Sequence, residues 1–324
     1  MTETGPLFVS SGDLVADRRY KWALDRAAQG DFAGAADILL QTVELAPAFA
    51  TAWFALGAIR DRLGDHAGAA LAFERTRQLD PDDYHGARLQ LARMGAGEAT
   101  PAMTRAYVRR LFDQYAARYD AALTENLAYR GPTVLLETAE RVMRAAARPF
   151  HFNSVLDLGC GTGLAGAAFR AACGRLTGID LSAAMVAKAA KKGFYDRLET
   201  ADLVDFLEKE AGGEARYDLV IAADVFVYVN DLSPIFAAVA NVTASGGLFA
   251  FTAETHAGSN VKLLPTLRYA HAERYLRDLL RVADFSVSHL AETSVRSEKG
   301  RPVESLVVVA QKFINPRAST GPNT

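Results

Sequence analysis

The chain has 324 residues, half of them hydrophobic, enough for roughly two domains with a sizeable buried core. Its 36 Lys and Arg nearly cancel its 38 Asp and Glu, and no long basic run occurs, so nucleic acid is not an expected partner. Two cysteines outside any CxxC or Cys/His pattern, and six histidines without a neighbour at ligand spacing, argue against a disulfide framework and against a metal centre.

The N-terminus, Met1-Thr-Glu-Thr-Gly-Pro-Leu-Phe-Val-Ser10, has neither a basic nor an apolar leader region, and no apolar run is long enough to span a bilayer. A cytoplasmic location without membrane contact is the expectation. Gly30-Asp31 recurs as Gly64-Asp65, Ala35-Ala36 as Ala69-Ala70 and Ala46-Pro47 as Asp80-Pro81, each at an offset of 34 residues. Two helical repeats are therefore expected at about 15–47 and 49–81, and Trp53-x-x-Leu56-Gly57, Ala69, Phe73 and Pro81 resemble the tetratricopeptide pattern. Asp83 to Met94 follows as a capping helix with a narrow apolar stripe of Tyr84, Leu89 and Leu91, closing an all-α repeat domain over 1–97. So short an array buries little surface alone, which implies docking on the rest of the chain or on a protein partner. Fourteen acidic against ten basic side chains over residues 1–100 fit a solvated helix face better than an electrostatic partner site.

Gly and Pro from Met94 to Pro101 mark a linker. Helices are predicted at 102–119 and 131–147, then strands and helices alternate: strand 153–158, helix 163–172, strand 175–180, helix 182–191, strand 199–201, helix 203–210, strand 217–223, helix 233–242, strand 247–253. Such alternation predicts an α/β fold with a parallel, Rossmann-like sheet covered on both faces, here over 105–313. A helix at 271–283 and a hairpin of strands 284–291 and 303–312 close its edge, and 314–324 reads as a flexible tail.

After the first strand, Val155-Leu-Asp-Leu-Gly-Cys-Gly-Thr-Gly163 places glycines at 159, 161 and 163, where the backbone turns sharply and a ligand can meet main-chain N–H groups at a helix start. Cys160 within it reads as a small buried turn residue rather than a nucleophile. Gly166 also completes a formal dinucleotide fingerprint, and Asp180 at the end of the second strand suits a ribose diol in either case. Asp157 separates the readings: its carboxylate would repel a pyrophosphate but attract the amino group and sulfonium of S-adenosylmethionine (SAM).

In these residues the chain resembles the class I SAM-dependent methyltransferases. The resemblance implies Asp180 and Leu181 at the ribose, Met185 near adenine, Asp202 at the adenine amino group with Leu203 against its ring, and the end of the fourth strand, Ala223, facing methyl and substrate. For Asp202 a helix cap is the competing role. Leu111-Phe-Asp-Gln-Tyr-Ala-Ala-Arg-Tyr-Asp120 is similar to the family's N-terminal lid, which makes Tyr115 and Tyr119 lid residues able to face a sulfonium; packing a helix is their competing role. Acceptor-side candidates are Asp224, Tyr228, Glu254, His256 and His271. His271, next to a predicted helix start, is the expected base or acceptor contact, with Tyr228 and Glu254 beside it and a structural hydrogen bond as the alternative for His271. Repeats joined to this sheet resemble bacterial tetratricopeptide-containing methyltransferases. The Asn/Asp-Pro-Pro-aromatic motif of amino-methylating DNA enzymes is replaced here by Ala223-Asp-Val-Phe226, which points to a small-molecule or protein acceptor.

Overall fold

A computed structural model describes residues 8–96, 102–121, 129–213, 216–298 and 300–314. The predicted linker beyond 96 and the tail beyond 314 lie outside them. The fold divides into two compact units, Met1–Arg110 with Pro265–Leu267 and Leu111–Leu264 with Arg268–Thr324.

The first unit is helical: α1 (Leu14–Ala28), α2 (Phe32–Leu45), α3 (Ala50–Arg62), α4 (His66–Leu79) and α5 (Ala87–Arg93). The duplicated Gly-Asp pair makes both hairpin turns. Gly30 and Gly64 take left-handed φ values of 87° and 83° that end one helix, and Asp31 and Asp65 start the next by accepting the amides of Gly34 and Gly68 at 2.9 Å. Gly57 lets α3 approach α4, since a Cβ there would come 2.7 Å from the Phe73 ring. The expected capping helix is shorter than 83–94 and buries Ala87, Leu89 and Leu91, whereas Tyr84, assigned above to its apolar stripe, is exposed.

The predicted helix over 102–119 is α6 (Arg105–Tyr115), a 3-10 turn and α7 (Tyr119–Ala121). Then follow α8 (Gly131–Ala145), β1 (Phe152–Leu158), α9 (Leu164–Phe169), β2 (Cys173–Asp180), α10 (Ala183–Lys192), β3 (Arg197–Thr200), α11 (Leu203–Ala211), β4 (Tyr217–Ala222), α12 (Ser233–Val242) and β5 (Thr243–Glu254). The chain ends with β6 (Val261–Leu263), β7 (Tyr269–His271), α13 (Glu273–Val282), β8 (Phe285–Thr293), β9 (Ser297–Glu298), β10 (Arg301–Pro302) and β11 (Ser305–Lys312). The last predicted helix starts two residues late because Tyr269–His271 pairs antiparallel with β6 instead.

The main sheet has the order β3-β2-β1-β4-β5-β11-β8, parallel up to β5, with β11 antiparallel between β5 and β8. This is a Rossmann-like α/β sheet, mostly parallel, with both faces buried. Period-two alternation splits β1 between two cores: Val155 faces Leu135, Met143 and Phe169, while Leu156 and Leu158 face Phe206, Phe236 and Phe249. The strand order reverses between β1 and β4, and the crevice at their carboxyl ends is where such sheets bind ligands.

Candidate cofactor and acceptor site

The turn after β1 has the backbone that its glycines allow. Gly159, Gly161 and Gly163 take φ of 63°, 54° and 89°, which an L side chain rarely adopts. A Cβ on Gly159 would strike Val225 at 2.7 Å, so only glycine lets the end of β1 approach the residues after β4. A Cβ on Gly161 would meet the Tyr119 ring at 3.9 Å, ordinary van der Waals contact, so that ring lies over the turn. Asp180 closes the turn: Oδ2 accepts the Gly161 amide at 2.9 Å and Oδ1 the Ser182 amide at 2.8 Å. Burial raises the Asp180 carboxyl to about 6 against the pull of those amides.

Asp157 lies under the turn. On the same β1 face as Val155, it is buried and accepts the Tyr195 hydroxyl on Oδ2 at 2.6 Å. Oδ1 has no hydrogen-bond partner among the described residues. Burial raises this carboxyl to about 7, with the Asp180 charge acting in the same sense. The bare buried oxygen of Asp157 and the acid at the β2 end together fit a nucleoside that carries a positive charge.

Of the remaining cofactor candidates, Met185 is fully buried at the start of α10, Leu181 is half-buried beside Asp180, and Leu203 packs against the larger sheet core. Asp202 is the N-cap of α11 and accepts the Val204 amide at 2.9 Å, the helix-cap role named above as its competitor. Ala223 leads from β4 into Asp224, which holds a left-handed φ of 62°. Tyr115 is buried 6.0 Å edge-on from Tyr119, and Phe112 stands 6.0 Å from Tyr119 and 5.0 Å from Tyr228. The segment that carries Tyr115 and Tyr119 is tied down at both ends. Asp113 accepts the Ser182 hydroxyl at 2.5 Å, while Asp120 accepts Thr162 of the glycine turn and pairs with Lys192 at 2.7 Å.

At the ends of β4 and β5 the structure gathers charges that the sequence does not show together. Arg296, 1% exposed, bridges Asp224 and Glu254, and Arg268 pairs with Glu298 and lies 3.7 Å from Glu254. The hydroxyls of Tyr119 and Tyr129 sit near enough to Asp224 that its charge adds to burial in raising both phenols. No local motif carries Arg296, Tyr129 or Tyr195, so the sequence does not single them out. Asp113 and Asp120 stand in the same Leu111–Asp120 stretch as Tyr115 and Tyr119.

The acceptor-side candidates separate. Tyr228 stays beside the lid, with its ring against Phe112. Glu254 is buried and neutralised by Arg296. His271 is fully buried, its Nε2 is 3.0 Å from the Val229 carbonyl, and burial lowers its pKa to about 4, so the ring is neutral at physiological pH and bonded to the chain after β4. His256 lies outside this cluster, on a polar cleft of about 890 Å³ with Glu273, Arg277 and Glu304. Among the described residues no group of His, Cys, Asp and Glu could hold a metal ion.

Residues 156–249 match the family model described as methyltransferase domain. Methyltransferase-like protein 27 of Homo sapiens is 30% identical over 153 residues, 46% of this chain and 58% of that protein, so the chain spans less than two thirds of this relative. Among solved structures, the magnesium protoporphyrin IX methyltransferase from Synechocystis PCC 6803 with bound SAH aligns at 21% identity and a TM-score of 0.48, covering 64% of this chain and 99% of that one. The N-methyltransferase NodS from Bradyrhizobium japonicum WM9 in complex with S-adenosyl-L-homocysteine (SAH) aligns at 17% and 0.48, covering 63% and 97%. From β1 with its glycine turn into β5, the sheet thus matches a methyltransferase domain over residues 156–249.

Proposed function

We propose that this protein transfers the methyl group of SAM to a small-molecule or protein acceptor, and that its helical hairpins are two tetratricopeptide repeats that dock a protein partner. The observation that carries the reading is the glycine turn joined to Asp180, with the Tyr119 ring over Gly161. In this reading Asp180 and Leu181 hold the ribose, Met185, Asp202 and Leu203 line the adenine, the turn amides and Asp157 meet the amino-acid end, and Tyr115 and Tyr119 cover the sulfonium. SAM, when bound, supplies an electrophilic methyl on a cationic sulfur.

The residues of the chain then position and exclude water rather than move protons. Asp224 and Glu254 are neutralised by Arg296, and His271 is bound to a carbonyl, so an acceptor that attacks in its neutral, unprotonated form suits the site best. Tyr228 lines the acceptor side, while Glu254 and His271 act at one remove, by fixing Arg296 and the chain after β4. The engagement of Asp224, Glu254 and His271 Nε2 by other groups also supports a second reading, an interaction protein whose domain binds SAM as a signal.

Isothermal titration with SAH tests the cofactor site, and Asp180→Ala is expected to weaken binding at least about tenfold, the loss of one hydrogen bond made by a charged group. Unchanged affinity in that variant sinks the reading. Transfer of a labelled methyl from SAM to fractionated metabolites and proteins separates enzyme from sensor.

A further inference from the structure

Three glycines from different elements converge on one ring. A Cβ built on Gly178 of β2 would come 2.6 Å from the Tyr195 ring, one on Gly163 3.0 Å from it, and one on Gly166 of α9 closer still, against the hydroxyl. That hydroxyl donates to Asp157 beneath the glycine turn at 2.6 Å. The next residue fixes the ring in place: the Asp196 amide donates to the Leu176 carbonyl at 2.9 Å, and the Asp196 carboxylate takes the Leu176 amide at 2.7 Å and Arg170 at 2.9 Å.

We infer that Tyr195 is a positioning residue of the cofactor site, its ring filling the gap between β2, α9 and the glycine turn and its hydroxyl fixing the Asp157 carboxyl beneath that turn. The inference rests on the cofactor reading above. It also gives Gly166 a purpose other than phosphate approach, since the missing side chain is the room that the phenol occupies. A carboxyl with one oxygen held by Tyr195 and the other bare presents charge to a cationic amino group across the turn, and a donor on the held oxygen favours the ionised form.

Burial brings Asp157 to about 7, so the charge is missing below that pH and present above it. Groups that share its surroundings are Asp180, the Cys160 thiol, Tyr195 and Tyr129. Of these, Asp180, at about 6, adds a separate lower step.

The test is SAH affinity of the full chain by isothermal titration, from about pH 5.5 to about pH 8.5, either side of both carboxyls. Wild-type affinity is expected to rise with pH through about 7. Tyr195→Phe should bind about tenfold more weakly at pH 7, for one lost hydrogen bond to a charged group, with the upper step displaced to higher pH. Asp157→Asn, which keeps the phenol's acceptor, should lose the upper step and retain only the lower one. Tyr195→Phe titrating like the wild type, or Asp157→Asn keeping the upper step, overturns the proposal. Asp157→Asn decides alone if the phenylalanine variant does not fold. Wild-type protein that binds no SAH at any pH overturns the cofactor reading itself, a result distinct from failure of the variants.

Discussion

Arg296 holds two carboxylates where water scarcely reaches. Its guanidinium is 1% exposed between Asp224 and Glu254, and Glu254 itself is 2% exposed. Desolvating such charges costs several kcal/mol per ion, offset only while every partner stays in place. Arg296→Met should therefore destabilise the protein by about 3–5 kcal/mol, the cost of breaking a buried pair by removing one partner. Urea unfolding measures it, and Arg296→Met with Glu254→Gln should recover part of the loss, because one stranded charge is gone. A single variant within about 0.5 kcal/mol of wild type, as for an ordinary surface position, would show the network to be hydrated and of little consequence. None of this could be read from the sequence. Asp224 and Glu254 stood out there as acids at strand ends, but their partner lies 72 and 42 residues away. His271 shows the same limit, for its type suggested acid–base chemistry and its burial leaves it neutral and bonded to Val229.

At the scale of elements, the stretch expected to be a lid is held by two short ties. Asp113 on α6 grips Ser182, the N-cap of α10, and Asp120 grips Thr162 and Lys192. Both acids thus fasten the segment that carries Tyr115 and Tyr119 to the frame of the cofactor turn. In the cofactor reading, Asp113→Ala should raise the SAH dissociation rate by about tenfold, the equivalent of one charge-assisted hydrogen bond, with a smaller change in association rate. Stopped-flow displacement measures it, and an unchanged dissociation rate would mean the lid is held by its aromatic packing alone. Helix and strand placement was legible from periodicity because each element is set by neighbours a few residues away. Tyr269–His271 was not, since a three-residue strand exists only through its pairing with β6.

For the molecule as a whole, the two units differ in what a nucleoside ligand should do to them. At SAH concentrations about 100-fold above Kd, binding adds about 2.7 kcal/mol to the state that binds it. Hydrogen exchange should then slow in β1, β2, α10 and the lid, while α1–α4 exchange as before. Equal slowing in α1–α4 would show that the ligand's effect extends to the repeats. Three things about this protein were determined by its sequence alone: the duplicated helical hairpins, the alternation that makes a parallel sheet, and the glycine turn with Asp180 at the next strand end. Each depends on local rules, a left-handed φ, a cap or a hydrophobic period, that act within a few residues. Only the tertiary structure decided that Asp157 lies under the turn in the grip of Tyr195, 38 residues on, and that Arg296 neutralises the acids at the strand ends. Those facts follow from strand order and burial, which bring distant residues together and set their charge by the water they lose.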